Sequence, residues 1–251
     1  MELKGLDTAL TVLSHFTAEN GRWGVRELSA KTGIASSVVQ RILATYQRHG
    51  FLRQCPETRK YSLGVRLWEL GTLFRSQFRI EDAVTDLLHK TAIESGETVY
   101  LNMLDGDRAV CVQISDGPES VKVAIRLGEG TPLLAGSRGK VLLAFLPEAE
   151  QASILAAAFG TLVEPEAASR RATLTQELGI VRAQGWCKTH GERLMDVVGI
   201  SVPIFDRRNA VFASVTIGGP SARMTEDKVA DCIPRLLAVG AELQQHFQKF
   251  A

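Results

Sequence analysis

The chain has 251 residues, 45% hydrophobic and 23% charged, with a formal net charge of +1. That length admits two domains, and the composition is that of an ordinary globular protein, which excludes wholesale disorder. The near-zero charge hides an asymmetry: residues 1–60 hold nine Lys or Arg against five Asp or Glu, a balance of +4 that leaves −3 for the rest. A basic head on a mildly acidic body fits a polyanion-binding segment joined to a sensing or catalytic one.

The four cysteines, Cys55, Cys111, Cys187 and Cys232, form no C-x-x-C pair, which argues against a zinc ribbon or a thioredoxin-like site. Scattered single cysteines suit a reducing cytoplasm. No basic-then-apolar leader opens the chain, and no apolar run approaches the ~20 residues that span a bilayer.

Residues 6–16 carry Leu6, Ala9, Leu10, Val12, Leu13 and Phe16, a helical stripe stopped at Glu19-Asn20-Gly21. Arg22 to Val25 reads as a short extended piece. Residues 26–50, RELSAKTGIASSVVQRILATYQRHG, read as two helices joined at Gly33, with Ser36 or Ser37 expected to cap the second. That second helix has a buried stripe of Val38, Val39, Ile42, Leu43 and Tyr46. Its outward face is Ser36, Ser37, Gln40, Arg41 and Arg48. Alone, this stretch is either a helix-turn-helix or a surface helical hairpin. The following strands, 51–53 and 60–63, flank a turn at Pro56, with Arg59 and Lys60 near its tip. That order of elements is a winged helix-turn-helix.

Residues 64–94 read as a long helical connector. Leu67, Leu70, Leu73, Phe74 and Phe78 form one stripe, and Ala83, Val84, Leu87, Leu88 and Ala92 a second. A break is plausible over the polar stretch from Arg75 to Arg79. Either a partner chain or its own body is open to such a connector. The body starts near Gly96. Strands are expected at 98–104, 108–114, 121–127, 198–205 and 210–217, and helices at 138–146, 148–159, 174–184 and 224–250. Thr173 or Thr175 is the expected cap of the third helix, and Pro234 is expected to kink or interrupt the last. This is an α+β pattern, with helices packed on a mostly antiparallel sheet.

Several segments together resemble the IclR family of transcriptional regulators over nearly the whole chain. They are Gly5-Leu6-Asp7-Thr8-Ala9-Leu10, Leu28-Ser29-Ala30-Lys31-Thr32-Gly33-Ile34, Val39-Gln40-Arg41-Ile42-Leu43 and Gly50-Phe51-Leu52. The run from Pro56 to Gly64, Gly139-Lys140-Val141-Leu142-Leu143-Ala144-Phe145, Gly185-Trp186 and Val202-Pro203-Ile204-Phe205-Asp206 complete the set. The resemblance implies a winged helix-turn-helix at 1–64, a connector helix at 65–95 and a GAF-like α/β effector-binding and oligomerisation domain at 96–251. It implies homodimers or homotetramers on double-stranded operator DNA in the cytoplasm, with no cofactor and no metal. Ala35 and Val38 depart from the proline and threonine frequent at those family positions.

Ser36, Ser37, Gln40 and Arg41 occupy the helix end that meets base edges. Gln40 suits adenine and Arg41 guanine, with a phosphate contact or an internal ion pair open to Arg41. Arg22, Arg26, Arg59 and Lys60 suit phosphates or the minor groove, a solvated wing being the alternative for Lys60. In the body, the helix start at residues 134–140 offers N–H groups to a carboxylate. The resemblance places effector contacts at Ser137, Arg138, Thr189, Val197, Gly199, Thr216 and Gly218, with Val123 on a facing strand. Arg138 would clamp a carboxylate if it faces inward and would be a solvated charge if it faces outward. For Lys140 a structural role at the helix start is expected.

Cys187, His190 and Glu192 offer a nucleophile–base or metal alternative, against a buried thiol and a loop histidine. No P-loop, Rossmann fingerprint, G-x-S-x-G or H-E-x-x-H motif accompanies them. The reading is therefore a regulator that binds operator DNA and senses a small organic acid, not an enzyme. The alternative is a DNA-binding regulator whose C-terminal domain only oligomerises.

Overall fold

The computed structural model describes residues 3–77, 80, 82–160 and 165–249. The chain divides into two compact units, residues 1–77 and 78–251.

In the first unit, helices α1 (Lys4–Ser14), α2 (Val25–Thr32) and α3 (Ser36–Arg48) precede a small sheet. Its strands β1 (Arg22–Trp23), β2 (Leu52–Gln54) and β3 (Tyr61–Leu63) lie in the order β1-β3-β2. The wing is therefore three-stranded, since Arg22 pairs with Ser62 and Trp23 with Tyr61. Val12, Leu28, Val39, Leu43, Leu52 and Tyr61 meet in one core, with one or two residues from each of five elements. Gly33 ends α2 at φ 72°, where its N–H donates to the Ser29 carbonyl. That left-handed step is what glycine permits without a Cβ clash. Neither Ser36 nor Ser37 caps α3. Helical backbone begins at Ser36 itself, and Ala35 is the uncapped boundary residue. The Ser36 hydroxyl instead bonds the Ser29 hydroxyl at 3.0 Å, tying α3 to α2. Helix α4 (Val65–Gln77) closes the unit, with Val65, Trp68 and Leu73 exposed. Phe78, Arg79 and Phe250, which the sequence assigns to helical patterns, lie outside the described residues.

The second unit is built on six antiparallel strands in the order β6-β5-β4-β9-β8-β7. They are β4 (Thr98–Asp105), β5 (Arg108–Ser115), β6 (Gly130–Pro132), β7 (Cys187–His190), β8 (Val197–Phe205) and β9 (Val211–Pro220). Helices α5 (Asp82–Ser95) and α9 (Glu226–Gln248) cover one face. Helices α6 (Gly136–Phe145), α7 (Glu148–Phe159) and α8 (Glu166–Gln184) pack in a second core. Period-two alternation divides the central strands. Val99, Leu101, Val198, Ile200, Val202, Ala213, Val215 and Ile217 enter the core with α5 and α9. Their neighbours Asn102, Ser201, Ser214 and Thr216 are buried too, but polar, and they bond to one another and to the start of α6.

Three expectations fail here, and of the two alternatives for Pro234 one is excluded. Residues 121–126 form no strand. The β5 edge is taken by Gly128, Glu129 and β6, so 121–127 has no ladder to join. Helix α8 starts at Glu166, and Thr173 and Thr175 sit inside it with their hydroxyls bonded to the Ser169 and Arg171 carbonyls. A threonine facing back to residue i−4 is a helix-interior pattern. Cys187 to His190 is a strand, not a loop, pairing with β8. Helix α9 runs through Pro234 without interruption. Its buried stripe of Val229, Cys232, Leu236, Val239, Leu243 and Phe247 holds both halves on the sheet.

Candidate functional site

In the first unit, burial of Val39 and Leu43 turns the opposite side of α3 outward. Ser36, Ser37, Gln40 and Arg41 are all exposed on its first two turns. Arg22, Arg26 and Arg59 are exposed as well, with Arg59 at φ 57° on the wing turn. The turn is closed by Arg59 N–H to the Cys55 carbonyl and Gln54 Nε2 to the Arg59 carbonyl, both 2.9 Å. Lys60 is neither a free wing cation nor simply solvated: its ammonium donates to Glu27 Oε1 at 2.6 Å. The other oxygen of Glu27 accepts from the Gly24 N–H at 2.8 Å at the start of α2. Hydrogen bonds from Lys60 and Gly24 hold the Glu27 carboxyl below its usual range. Arg22, Lys60 and Arg53 line one cleft beside the wing. Sequence reasoning missed Arg53, although Leu52 facing the core puts its neighbour outward by alternation.

In the second unit, a cleft with about 390 Å³ of empty space, its mouth included, opens over the start of α6. Val123, Ser137, Arg138, Thr189, Val197 and Gly199 line it. Thr216 and Gly218 do not. Thr216 is wholly buried beneath, bonded to Ser201 Oγ at 2.8 Å and Asn102 Nδ2 at 3.2 Å. A Cβ on Gly218 would stand 3.2 Å from the Tyr100 ring, so that glycine makes room for the tyrosine. Tyr100, Ile125, Arg193 and Leu194, which were missed, complete the lining with Gly136, expected only as part of the helix start, and Glu192, named only in the enzyme alternative. Strand alternation from Val99 and Leu101 signals Tyr100. Nothing in the local pattern signals the 191–194 loop.

Two N–H groups of the helix start are already taken. Gly136 N–H donates to Glu192 Oε2 at 3.1 Å, and Ser137 N–H to Thr189 Oγ1 at 2.9 Å. A carboxylate of the chain already sits where an external anion was expected, because the loop after β7 folds back over α6. Lys140 donates to both Glu177 and Glu192 at 2.7 Å. Burial alone would lower its pKa; the two carboxylates outweigh that and raise it. Its role is structural.

Arg138 faces inward. It is 3% exposed, with one guanidinium nitrogen donating to Thr131 Oγ1 and another to Asn102 Oδ1 at 3.4 Å. Its Cζ stands 5.7 Å from the centre of the Tyr100 ring. Burial pushes the Tyr100 phenol up to about 12 and the Cys111 thiol up to about 11, so both are neutral near pH 7. Glu129 Oε1 lies 3.5 Å from Arg138 and also accepts from Arg193.

Cys187 and His190 do not form a catalytic pair. Residues i and i+3 of one strand point to opposite faces. Cys187 is buried, which pushes its thiol up to about 12, and His190 is exposed. Among the described residues no three His, Cys, Asp or Glu side chains could hold a metal ion. Among them, too, no helix is long and apolar enough to cross a membrane.

Comparison with known proteins gives two family matches. The "IclR helix-turn-helix domain" matches residues 5–56, and the "Bacterial transcriptional regulator IclR C-terminal" family matches residues 75–245. The chain is 27% identical over 243 residues to the HTH-type transcriptional regulator XynR of Escherichia coli, covering 97% of this chain and 96% of that one. It is also similar to the crystal structure of an IclR family transcriptional regulator from Brucella abortus. The TM-score there is 0.80 with 26% identity, over 98% of this chain and 93% of that one. The fold is shared with an IclR homologue from Microbacterium hydrocarbonoxydans crystallised with 4-hydroxybenzoate, at TM-score 0.77 and 19% identity over 98% and 99% of the two chains.

Proposed function

The chain belongs to the IclR family of bacterial transcriptional regulators, with a helix-turn-helix DNA-binding domain at its N-terminus, and from that premise we propose that it is an acid-responsive regulator. Ser36, Ser37, Gln40 and Arg41 read bases of a double-stranded operator, and Arg22, Arg26, Arg59 and Lys60 hold its backbone or minor groove. Residues 1–64 are the DNA-binding domain and 65–95 the connector. Residues 96–251 bind the effector and bring copies of the chain together as homodimers or homotetramers in the cytoplasm. The effector is a small carboxylic acid taken into the cleft over α6, against Ser137, Arg138, Thr189, Val197, Gly199 and Val123, with Thr216 and Gly218 supporting its floor.

One observation carries the acid: a guanidinium, Arg138, 3% exposed, lines a solvent-open cleft with its one ion-pair partner among the described residues, Glu129, held only at 3.5 Å. A buried charge is held by pairing, and planar carboxylates suit a guanidinium fork. The 4-hydroxybenzoate held by the Microbacterium homologue is itself a small carboxylic acid. The ligand regulates only by binding one state of the protein better than another.

The test is a thermal-shift screen of the full chain with aromatic, keto and sugar acids, 4-hydroxybenzoate included. A hit present at a hundred times its Kd stabilises by about 2.7 kcal/mol. The same hit should change affinity for DNA selected by the protein from a random pool. If no acid raises the melting temperature at millimolar concentration, the body only oligomerises.

A further inference from the structure

The cleft's two arginines share a single carboxylate oxygen. Arg193, on the loop after β7, donates to Glu129 Oε1, and the same oxygen stands 3.5 Å from an Arg138 nitrogen. The other oxygen, Oε2, is taken by the Arg126 N–H at 3.2 Å. Arg193 is thus bonded, while Arg138 has its ion pair only at the limit of hydrogen-bond length. Among the described residues Glu129 is the one carboxylate in ion-pair range of Arg138. Glu192, the other carboxylate of the cleft, is taken by Lys140 and the Gly136 N–H. Tyr100 and Cys111, both neutral near pH 7, supply no second anion. Two positive charges therefore meet one negative charge at the cleft wall.

Arg138 and Arg193 line the cleft, and Glu129 is not among its lining residues. A carboxylate entering the cleft meets the same two guanidinium-bearing side chains. Glu129 is anchored through its backbone, since its carbonyl accepts from the Cys111 N–H at 3.0 Å and Gly128 N–H donates to the Cys111 carbonyl at 2.7 Å. Its side chain, 25% exposed, can turn to water while the backbone stays.

We infer that Glu129 is a specificity-determining residue of this cleft, an internal competitor whose carboxylate is exchanged for that of the ligand between Arg138 and Arg193. The inference rests on the acid-sensing reading above. It adds what that reading leaves open: the ligand is a monoanion, and its affinity is net of displacing a carboxylate the protein already holds. Exchange of one carboxylate for another changes no covalent bond and leaves the arginine pair with one carboxylate, as before. A neutral analogue cannot drive it, because the guanidinium groups would lose their counter-ion.

Two variants of the full chain test it. Glu129→Ala removes the competitor and leaves space. Its melting temperature should fall below wild type and recover in sodium acetate, more than in acetamide or in sodium chloride of matched ionic strength. Acetate acting no better than chloride overturns the inference. Glu129→Gln keeps the shape and removes the charge, so it serves if the alanine variant does not fold. It should bind benzoate on the order of tenfold tighter than wild type, about 1.4 kcal/mol, with benzamide affinity unchanged. Equal or weaker benzoate binding, or an equal gain for benzamide, overturns it. Acetate recovery with no benzoate binding to wild type or Glu129→Gln would overturn the exchange through the failure of acid sensing, while the arginine pair's need for a carboxylate would stand.

Discussion

Arg41 and Glu97 show opposite uses of charge. Arg41 is exposed on the outer side of α3. If it reads a base, Arg41→Ala lowers affinity for selected operator DNA by about 1–3 kcal/mol more than for random DNA. Fluorescence anisotropy on both DNAs measures this, and an equal loss on both would reduce Arg41 to a phosphate anchor. Glu97 is buried and accepts from Arg223 through both oxygens, at 2.7 and 2.8 Å, and from Lys228 at 2.7 Å. Burial pushes its carboxyl up, but the hydrogen bonds and charges of the two cations outweigh it and leave the pKa below 4.5. A depressed carboxyl pKa contributes stability that is full above the unfolded value, near 4.5, and lost as pH falls through the folded one. Glu97→Gln should therefore lower stability at pH 7 by about 1–3 kcal/mol, the scale of lost hydrogen bonds to a charged group, since the two cations left behind are 28% and 29% exposed. Denaturant titrations between pH 7 and pH 3 should show that gap narrowing. A gap that stays constant with pH would mean Glu97 acts by shape alone. The residues legible in the sequence were those tied to a period. Val39 and Leu43 were legible that way as the buried side of α3, with Gln40 and Arg41 outside it, whereas Gly199 and Thr216 were reached only through the family resemblance. Arg193 and Glu129 were invisible, because they meet across 64 positions of chain.

At the scale of elements, period and punctuation carried most of the reading. Glu148–Phe159 is bounded as expected by Pro147 and Gly160, and α2 stops at Gly33. What failed were elements whose fate depends on a distant partner. Residues 121–127 alternate like a strand, but the edge of β5 is given to Gly130–Pro132. Cys187–His190 is short and polar, and becomes a strand only because β8 presents an edge to it. Of the kink or interruption expected at Pro234, the interruption does not occur, because packing holds α9 together across it. That helix lies very close to the sheet: a Cβ on Gly240 would stand 2.7 Å from a Val202 methyl. Gly240→Ala should accordingly cost about 1–3 kcal/mol through overpacking, against the usual gain for alanine in a helix. Urea unfolding measures the sign. A stabilised variant would show that Val202 yields without strain.

For the whole molecule, the division into two units with separate cores sets the pattern of damage. Leu43 is fully buried in the core of the first unit. Leu43→Ala should cost that unit about 2–5 kcal/mol and weaken DNA binding. Hydrogen exchange should show lost protection in 25–48 with wild-type protection in 98–105 and 211–220. Loss of protection in both sheets would indicate one cooperative body. The balance of +4 in residues 1–60 pointed to this division before any contact was known, because charge distribution follows partner rather than fold.

The cleft's floor and walls are made of different material. Its floor is α6 and the polar face of β4, β8 and β9, locked by ladder and side-chain hydrogen bonds. Its outer walls, 121–129 and 191–194, lie largely outside any ladder. Substitutions in such loops disturb stability far less than substitutions in the sheet. A wall can therefore change a few residues at a time, and with it the shape and charge of the cleft, while the scaffold beneath is inherited intact.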